Sequence, residues 1–183
     1  VTIDSGKTII LDMNGETLSI GFSDSSKNLI VNNGTLTITG DGTFDATEAT
    51  SYKGFINNYG TLTVENGTFQ IADKAMTVHL RNQDGGKAVI NGGTFSGGAT
   101  IVRSFEGSNT TITGGSFTNS VYPAVDVNGE TLITGGIFTN TSCSRCDSQN
   151  WGYTVRSGVD NDPDAKLTIT PSSEGSVVVT GTQ

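Results

Sequence analysis

Four side chains with binding chemistry, His79, Arg103, Asp126 and Arg156, each close a short strand-like phrase, and the phrases repeat along the chain. They are Met76-Thr-Val-His79, Thr100-Ile-Val-Arg103, Ala124-Val-Asp126 and Tyr153-Thr-Val-Arg156; earlier copies end on Asn57, Asn32 and Asp12. Stacking each copy on the one before would gather these residues into a single polar column, with Asp126 between two guanidinium groups. A guanidinium fork pairs with a carboxylate through two parallel hydrogen bonds, so such a column suits a sugar acid or an array of hydroxyls. The same column also reads as a solvated face whose alternating charges favour stacking, at roughly 0.2–1 kcal/mol per opposite pair.

Aromatic residues gather beside this column. Tyr52, Tyr122, Trp151 and Tyr153 all stand where the chain enters the repeated phrase. The longest insertion, residues 139–152, carries Arg145 and closes on Trp151-Gly152. An amphipathic ring covers a sugar face while its polar edge stays wet, and insertions on one side of a repeat array are where recognition residues collect. Tyr122, Arg145, Trp151 and Tyr153 therefore join His79, Arg103, Asp126 and Arg156 as candidate ligand-binding residues. Trp151 reads equally as the residue that packs the insertion against the body. Cys143-Ser-Arg-Cys146 is a candidate disulfide that would pin the same loop in an oxidising compartment. A lone Cys-x-x-Cys without a second pair gives little support for zinc or redox work.

Catalysis has less to stand on. The chain has one histidine, no Gly-x-Ser-x-Gly elbow, and no cysteine in a nucleophile context. Hydrolysis by paired carboxylates needs two acids about 5–10 Å apart in a cleft. On a stacked repeat such pairs arise by chance, so Asp12, Glu65, Glu106 or Asp126 alone identify no site. No catalytic residue, metal site or cofactor is expected. Eighteen acids against ten bases give −8, which disfavours nucleic acid and anionic membranes as partners. No apolar run is long enough to span a bilayer.

What must position these residues is a stack of coils. Phe44, Phe69, Phe95, Phe117 and Phe138 close versions of one phrase, as in Gly60-Thr-Leu-Thr-Val-Glu-Asn-Gly-Thr-Phe69, at gaps of 25, 26, 22 and 21 residues. A period in the twenties, built from alternating strand residues and glycine turns, marks a solenoid. Only 33% of the 183 residues are hydrophobic, enough for a narrow core, and 25 glycines supply the turns. Leu36/Ile38, Leu62/Val64, Ala88/Ile90 and Leu167/Ile169 alternate with polar residues, the period of a half-buried strand. Each coil is read as two strands, this one and the one carrying the polar column, with the phenylalanines inward and stacked. The fold expected is all-β: a right-handed, single-stranded parallel β-helix of about seven coils, on the order of 35 Å long at ~4.8 Å per coil. Residues 1–183 form a single domain. The opening Val1 reads as the start of a segment cut from a longer, exported protein, which predicts an extracellular or cell-surface location.

Threonine also falls in columns. Thr37, Thr63, Thr111 and Thr168 share one, and Thr39, Thr113, Thr134 and Thr170 another, interrupted by Val89, Leu132, Glu65 and Asn91. Flat threonine ladders of this kind occur on some ice-binding solenoids; threonine also simply favours exposed strand positions.

The Gly-Thr-Leu-Thr-Ile…Gly-Gly-Thr-Phe phrasing resembles the right-handed parallel β-helix repeats of large bacterial cell-surface or adhesin-like proteins, over about residues 8–180. That resemblance implies a stalk or display module. The wider fold superfamily is similar to pectate lyases and polygalacturonases, whose acid clusters with a partner arginine or lysine are matched at no position here, so no catalytic residue carries over. The expected role is a non-catalytic structural or adhesive module that binds a glycan or a host surface protein. A polysaccharide lyase or glycoside hydrolase, or a degenerate relative of one, is the alternative, and ice binding a lesser one.

Overall fold

In Thr35–Thr39, Leu36 and Ile38 are buried while the three threonines between and around them face outward. The same alternation runs through Thr61–Val64 and Lys87–Ile90, as the sequence pattern predicts. Successive strand residues point to opposite faces, so alternate apolar residues form one buried surface.

The computed structural model describes residues 1–20, 24–48, 52–72, 77–119, 123–140, 155–157, 166–169 and 177–181. They form an all-β parallel solenoid with three sheets of seven strands each. The first sheet contains Thr2–Ile3, Asp24–Asn32, Tyr52–Asn58, Val78–Asn82, Thr100–Ser104, Val125–Val127 and Val155–Ser157. The second contains Thr8–Asp12, Thr35–Thr39, Thr61–Val64, Lys87–Ile90, Asn109–Ile112, Glu130–Ile133 and Lys166–Ile169. The third contains Thr17–Ser19, Thr43–Ala46, Thr68–Ile71, Thr94–Ser96, Ser116–Asn119, Gly136–Asn140 and Val177–Gly181.

Two expectations need correction. Each coil has three strands, not two, because the residues around each phenylalanine pair with their counterparts one coil away and so make a sheet of their own. The solenoid counts about five full turns, not seven. The turns from Asp24–Asn32 to Gly136–Asn140 have a neighbour on both sides, whereas the strands within residues 2–19 and 155–181 form the two ends. Repeat counting in the sequence had included both ends.

The five phenylalanines form the expected ladder. Phe44, Phe69, Phe95, Phe117 and Phe138 stack nearly face to face, with centroids 4.8, 4.6, 5.0 and 4.7 Å apart. Each contact adds about 0.5–1.5 kcal/mol beyond the area buried. Two residues before four of these rings stand Gly67, Gly93, Gly115 and Gly136, at φ of +116°, +99°, +104° and +115°. Glycine is required there twice over: L side chains avoid such φ values, and a Cβ would sit 3.1–3.3 Å from the phenylalanine ring.

A second ladder is polar and wholly internal. Asn32 Nδ2 donates to Asn58 Oδ1 at 2.7 Å, and Asn58 Nδ2 donates to Asn82 Oδ1 at 2.8 Å. The three side chains are fully buried at the corner between the first and second sheets. Their remaining donors hold backbone carbonyls, Asn32 that of Thr61 and Asn58 those of Gly60 and Lys87. Buried amides are tolerated because each is satisfied by its neighbours. Beyond Asn82 the ladder continues through hydroxyls: Asn82 Nδ2 donates to Thr110 Oγ1, and Thr131 Oγ1 bonds Ser104 Oγ.

At the N-terminal end, Ile9 and Leu18 continue the core columns of Leu36 and Phe44. They are nevertheless 45% and 44% exposed, because no strand lies against them on that side.

Candidate functional site

The register of the first sheet decides which residues share its outward face. Val31 pairs with Asn57, Asn57 with Arg81, Arg81 with Arg103, Arg103 with Asp126 and Asp126 with Arg156. Asn57, Arg103, Asp126 and Arg156 therefore share one column, as the sequence predicts. His79, Asn32 and Asp12 do not belong to it. Arg81 takes the place assigned to His79, two residues along. Asn32 is one residue out of register, and a slip of one moves a side chain to the opposite face; it stands in the buried amide ladder. Asp12 belongs to the second sheet, where its Oδ1 accepts the Asn14 N–H at 3.0 Å.

His79 is instead a core residue, 2% exposed. The cause is a bend in the first sheet that turns two consecutive residues inward. In the next coil Ile101 and Val102 are both fully buried, and both their N–H groups point at the Ala124 carbonyl, at 3.1 and 2.9 Å. Lying opposite Phe55 and Ile101, the His79 ring packs 5.6 Å from Phe55 and 6.0 Å edge-on to Phe95. Its Nε2 is 3.1 Å from the Gly97 carbonyl oxygen, which only accepts, so Nε2 carries the proton. Nδ1 is buried without a partner. Burial, opposed by the Gly97 and Ser96 carbonyls, brings the imidazole pKa down from 6.5 to about 4.

Sequence reasoning missed what surrounds Arg81. The Phe105 ring meets two cations, the guanidinium carbons of Arg81 and Arg103 standing 5.0 and 5.1 Å from its centroid. Arg103 Nε is 3.4 Å from Asp126 Oδ2, an ion pair whose Nε–H is not aimed for a hydrogen bond. Asp126 is buried beneath it. On the same face Gln83 Nε2 donates to Asn57 Oδ1 at 2.6 Å, and Asn57 Nδ2 donates to the Tyr59 hydroxyl at 3.2 Å. Tyr59 and Phe105 line the column next to the arginines with Gln83 between them, as their N–H bonds to Asn32, Asn58 and Asn82 carbonyls in successive coils show. The signal was present: Leu80-Arg81-Asn82 matches Val102-Arg103-Ser104 better than His79 matches Arg103.

Residues 141–154, between the third-sheet strand Gly136–Asn140 and the first-sheet strand Val155–Ser157, lie outside the described residues. The insertion read as 139–152 starts later than expected, since Thr139 and Asn140 pair with Thr118 and Asn119 inside the third sheet. Tyr122, Cys143, Arg145, Cys146, Trp151 and Tyr153 lie outside the described residues.

The other acids lie on different parts of the surface or around one open depression. Glu65 accepts from Asn91 Nδ2 on the second sheet at 3.0 Å. Glu106, Asp84 and Glu130 line an open depression beside Phe105. Among the described residues no group of three His, Cys, Asp or Glu side chains is placed to hold a metal ion. Nor is any helix among them long and apolar enough to cross a membrane. The threonine column of Thr37, Thr63, Thr111 and Thr168 is in register on the second sheet, interrupted by Val89 and Leu132, while Thr170 of the other lies outside the described residues.

Compared with protein-family models, curated proteins and solved structures, the chain gives no match.

Proposed function

We propose that this chain is a non-catalytic extracellular display module, wound right-handed, that binds a glycan or host surface ligand on the outward face of its first sheet. The observation that carries this reading is the cluster of Tyr59, Phe105, Arg81 and Arg103 with the Asn57–Gln83 amide pair, on and just beyond the first-sheet strands in successive coils. Exposed aromatic faces flanked by hydrogen-bonding forks suit sugars, which offer apolar ring faces and hydroxyl edges together. The handedness follows from general chirality, because parallel crossovers within one sheet are almost always right-handed. An outward face built on strands is rigid, so little order is lost when a ligand settles on it.

The test is a glycan-array and host-glycoprotein screen of the wild-type chain beside Tyr59→Ala, Phe105→Ala and Trp151→Ala. Binding that falls in Tyr59→Ala or Phe105→Ala supports the reading. Equal signal from both and from wild type, or no signal from any, removes the first-sheet face from consideration. Turnover of a polyuronide, with or without calcium, would favour the lyase or hydrolase reading instead.

A further inference from the structure

One column of the first sheet sets two arginines side by side on a chain of net charge −8, while the acids Asp84, Glu106 and Glu130 line the depression beside Phe105. That column places Arg81, Arg103 and Arg156 in register with a single acid, Asp126. Arg103 has that acid at 3.4 Å. Arg81 has no carboxylate within ion-pairing reach among the described residues, and its registered neighbour is Arg103, a like charge. Like charges directly opposite on paired strands destabilise the sheet.

Burial and the repulsion of Arg103 push the Arg81 pKa below its ordinary value, while the nearby Tyr59 phenol acts the other way. A cation that is half buried, held against an aromatic ring and left without an anion is one that a bound oxyanion would relieve. The fork of Arg81 is geometrically suited to that group, offering two parallel donors. Tyr59 already accepts from Asn57 through its oxygen, which leaves its O–H free to donate outward, and its ring is exposed.

Resting on the glycan reading above, we infer that the ligand is an anionic saccharide, its carboxylate or sulfate seated on Arg81 and its sugar ring against Tyr59. Anion binding here offsets the Arg81–Arg103 repulsion within an otherwise acidic chain. Long-range attraction from the rest of the chain is unfavourable, so the affinity comes from this local fork and is weakened by salt.

Titration calorimetry of the intact chain tests this with four probes: a galacturonate oligomer, a sulfated galactan oligomer that carries no carboxylate, a neutral glucan oligomer of the same length and an oligoglutamate peptide. The expected result is binding of at least one anionic saccharide and not of the neutral one, weaker in about 500 mM salt than in about 20 mM. Arg81→Gln should lower that affinity about tenfold or more, the size of one lost charge-assisted fork, while circular dichroism shows the variant folded like wild type. Lys87→Gln, which removes a cation from the second sheet, should leave it unaltered. Which probe binds separates carboxylate from sulfate as the recognised group. Equal binding of the neutral glucan, unaffected by Arg81→Gln, overturns the inference and leaves the glycan reading standing. Binding of an acidic peptide but of no saccharide overturns both.

Discussion

Replacing His79 with leucine tests whether the interior of this solenoid is as dry as its packing implies. The imidazole sits between Phe55 and Phe95, donates Nε2–H to the Gly97 carbonyl, and has no acceptor for a proton on Nδ1. Protonation would bury a charge with half its hydrogen bonds unmade, which is why the pKa drops to about 4 from 6.5. The unfolded chain takes up its proton near 6.5 and the folded chain only near 4, so between those values the unfolded state holds more protons. The neutral histidine's stability is therefore complete above about pH 6.5 and lost as pH falls toward about 4. At 1.36 kcal/mol per pKa unit the loss is about 3 kcal/mol. His79→Leu removes the titrating group while keeping an apolar side chain in an apolar column. Urea denaturation of both proteins at several pH values between about 7.5 and 4 should give a difference in stability that shifts by about 3 kcal/mol in favour of the leucine variant as pH drops. Because the chain has one histidine, its imidazole proton resonance can be followed alone and should titrate near 4 in the folded protein. A difference that stays flat with pH, or a resonance titrating near 6.5, refutes the reasoning.

Other perturbations report on the ladders. Asn58→Leu leaves Asn32 Nδ2 without its amide acceptor and Asn82 Oδ1 without its donor, both in the interior; at about 1–3 kcal/mol for each unsatisfied group, urea denaturation should show a loss of about 2–6 kcal/mol. Phe117→Ala removes two stacked contacts, at 5.0 and 4.7 Å, and should cost about 3–5 kcal/mol in the same assay. Gly93→Ala places a Cβ 3.2 Å from the Phe95 ring at φ +99°, so thermal melting should show a loss of about 1–3 kcal/mol. If Gly93→Ala melts like wild type, the glycine column is dispensable.

How much of this was legible in the sequence depended on which side of each strand faced inward. The phenylalanine column and the Leu36/Ile38-type alternation were readable because their strands are straight, so a period of two fixes every face. The first sheet was not. Its strands carry two adjacent inward residues at the bend, Ile101 with Val102 and Phe55 with Ile56, so alternation counted from one end assigns the wrong face at the other. That is how His79 came to be read as exposed. Asn32 was misplaced for a related reason. Leu29-Ile-Val-Asn32 and Phe55-Ile-Asn57 look alike, yet the true partner of Asn32 is Asn58. The clue lay downstream, where Asn32 and Asn58 each stand two residues before the glycine of the next turn, Gly34 and Gly60. Arg81 went unnoticed because nothing in its own neighbourhood marks it out. It gains meaning only from the ring of Phe105 in the next coil.

The ladders also set a problem for the folding chain. Coils with the same letter in the same column are nearly interchangeable, so sliding one rung up or down would still lay phenylalanine on phenylalanine and threonine on threonine. What separates the right partner from its neighbour is the set of exceptions. His79 alone finds the Gly97 carbonyl, and only Asn82 hands the internal amide chain over to the Thr110 hydroxyl. These irregular positions act as addresses, and making them conform to their columns would blur the order of the rungs even where it strengthened each one.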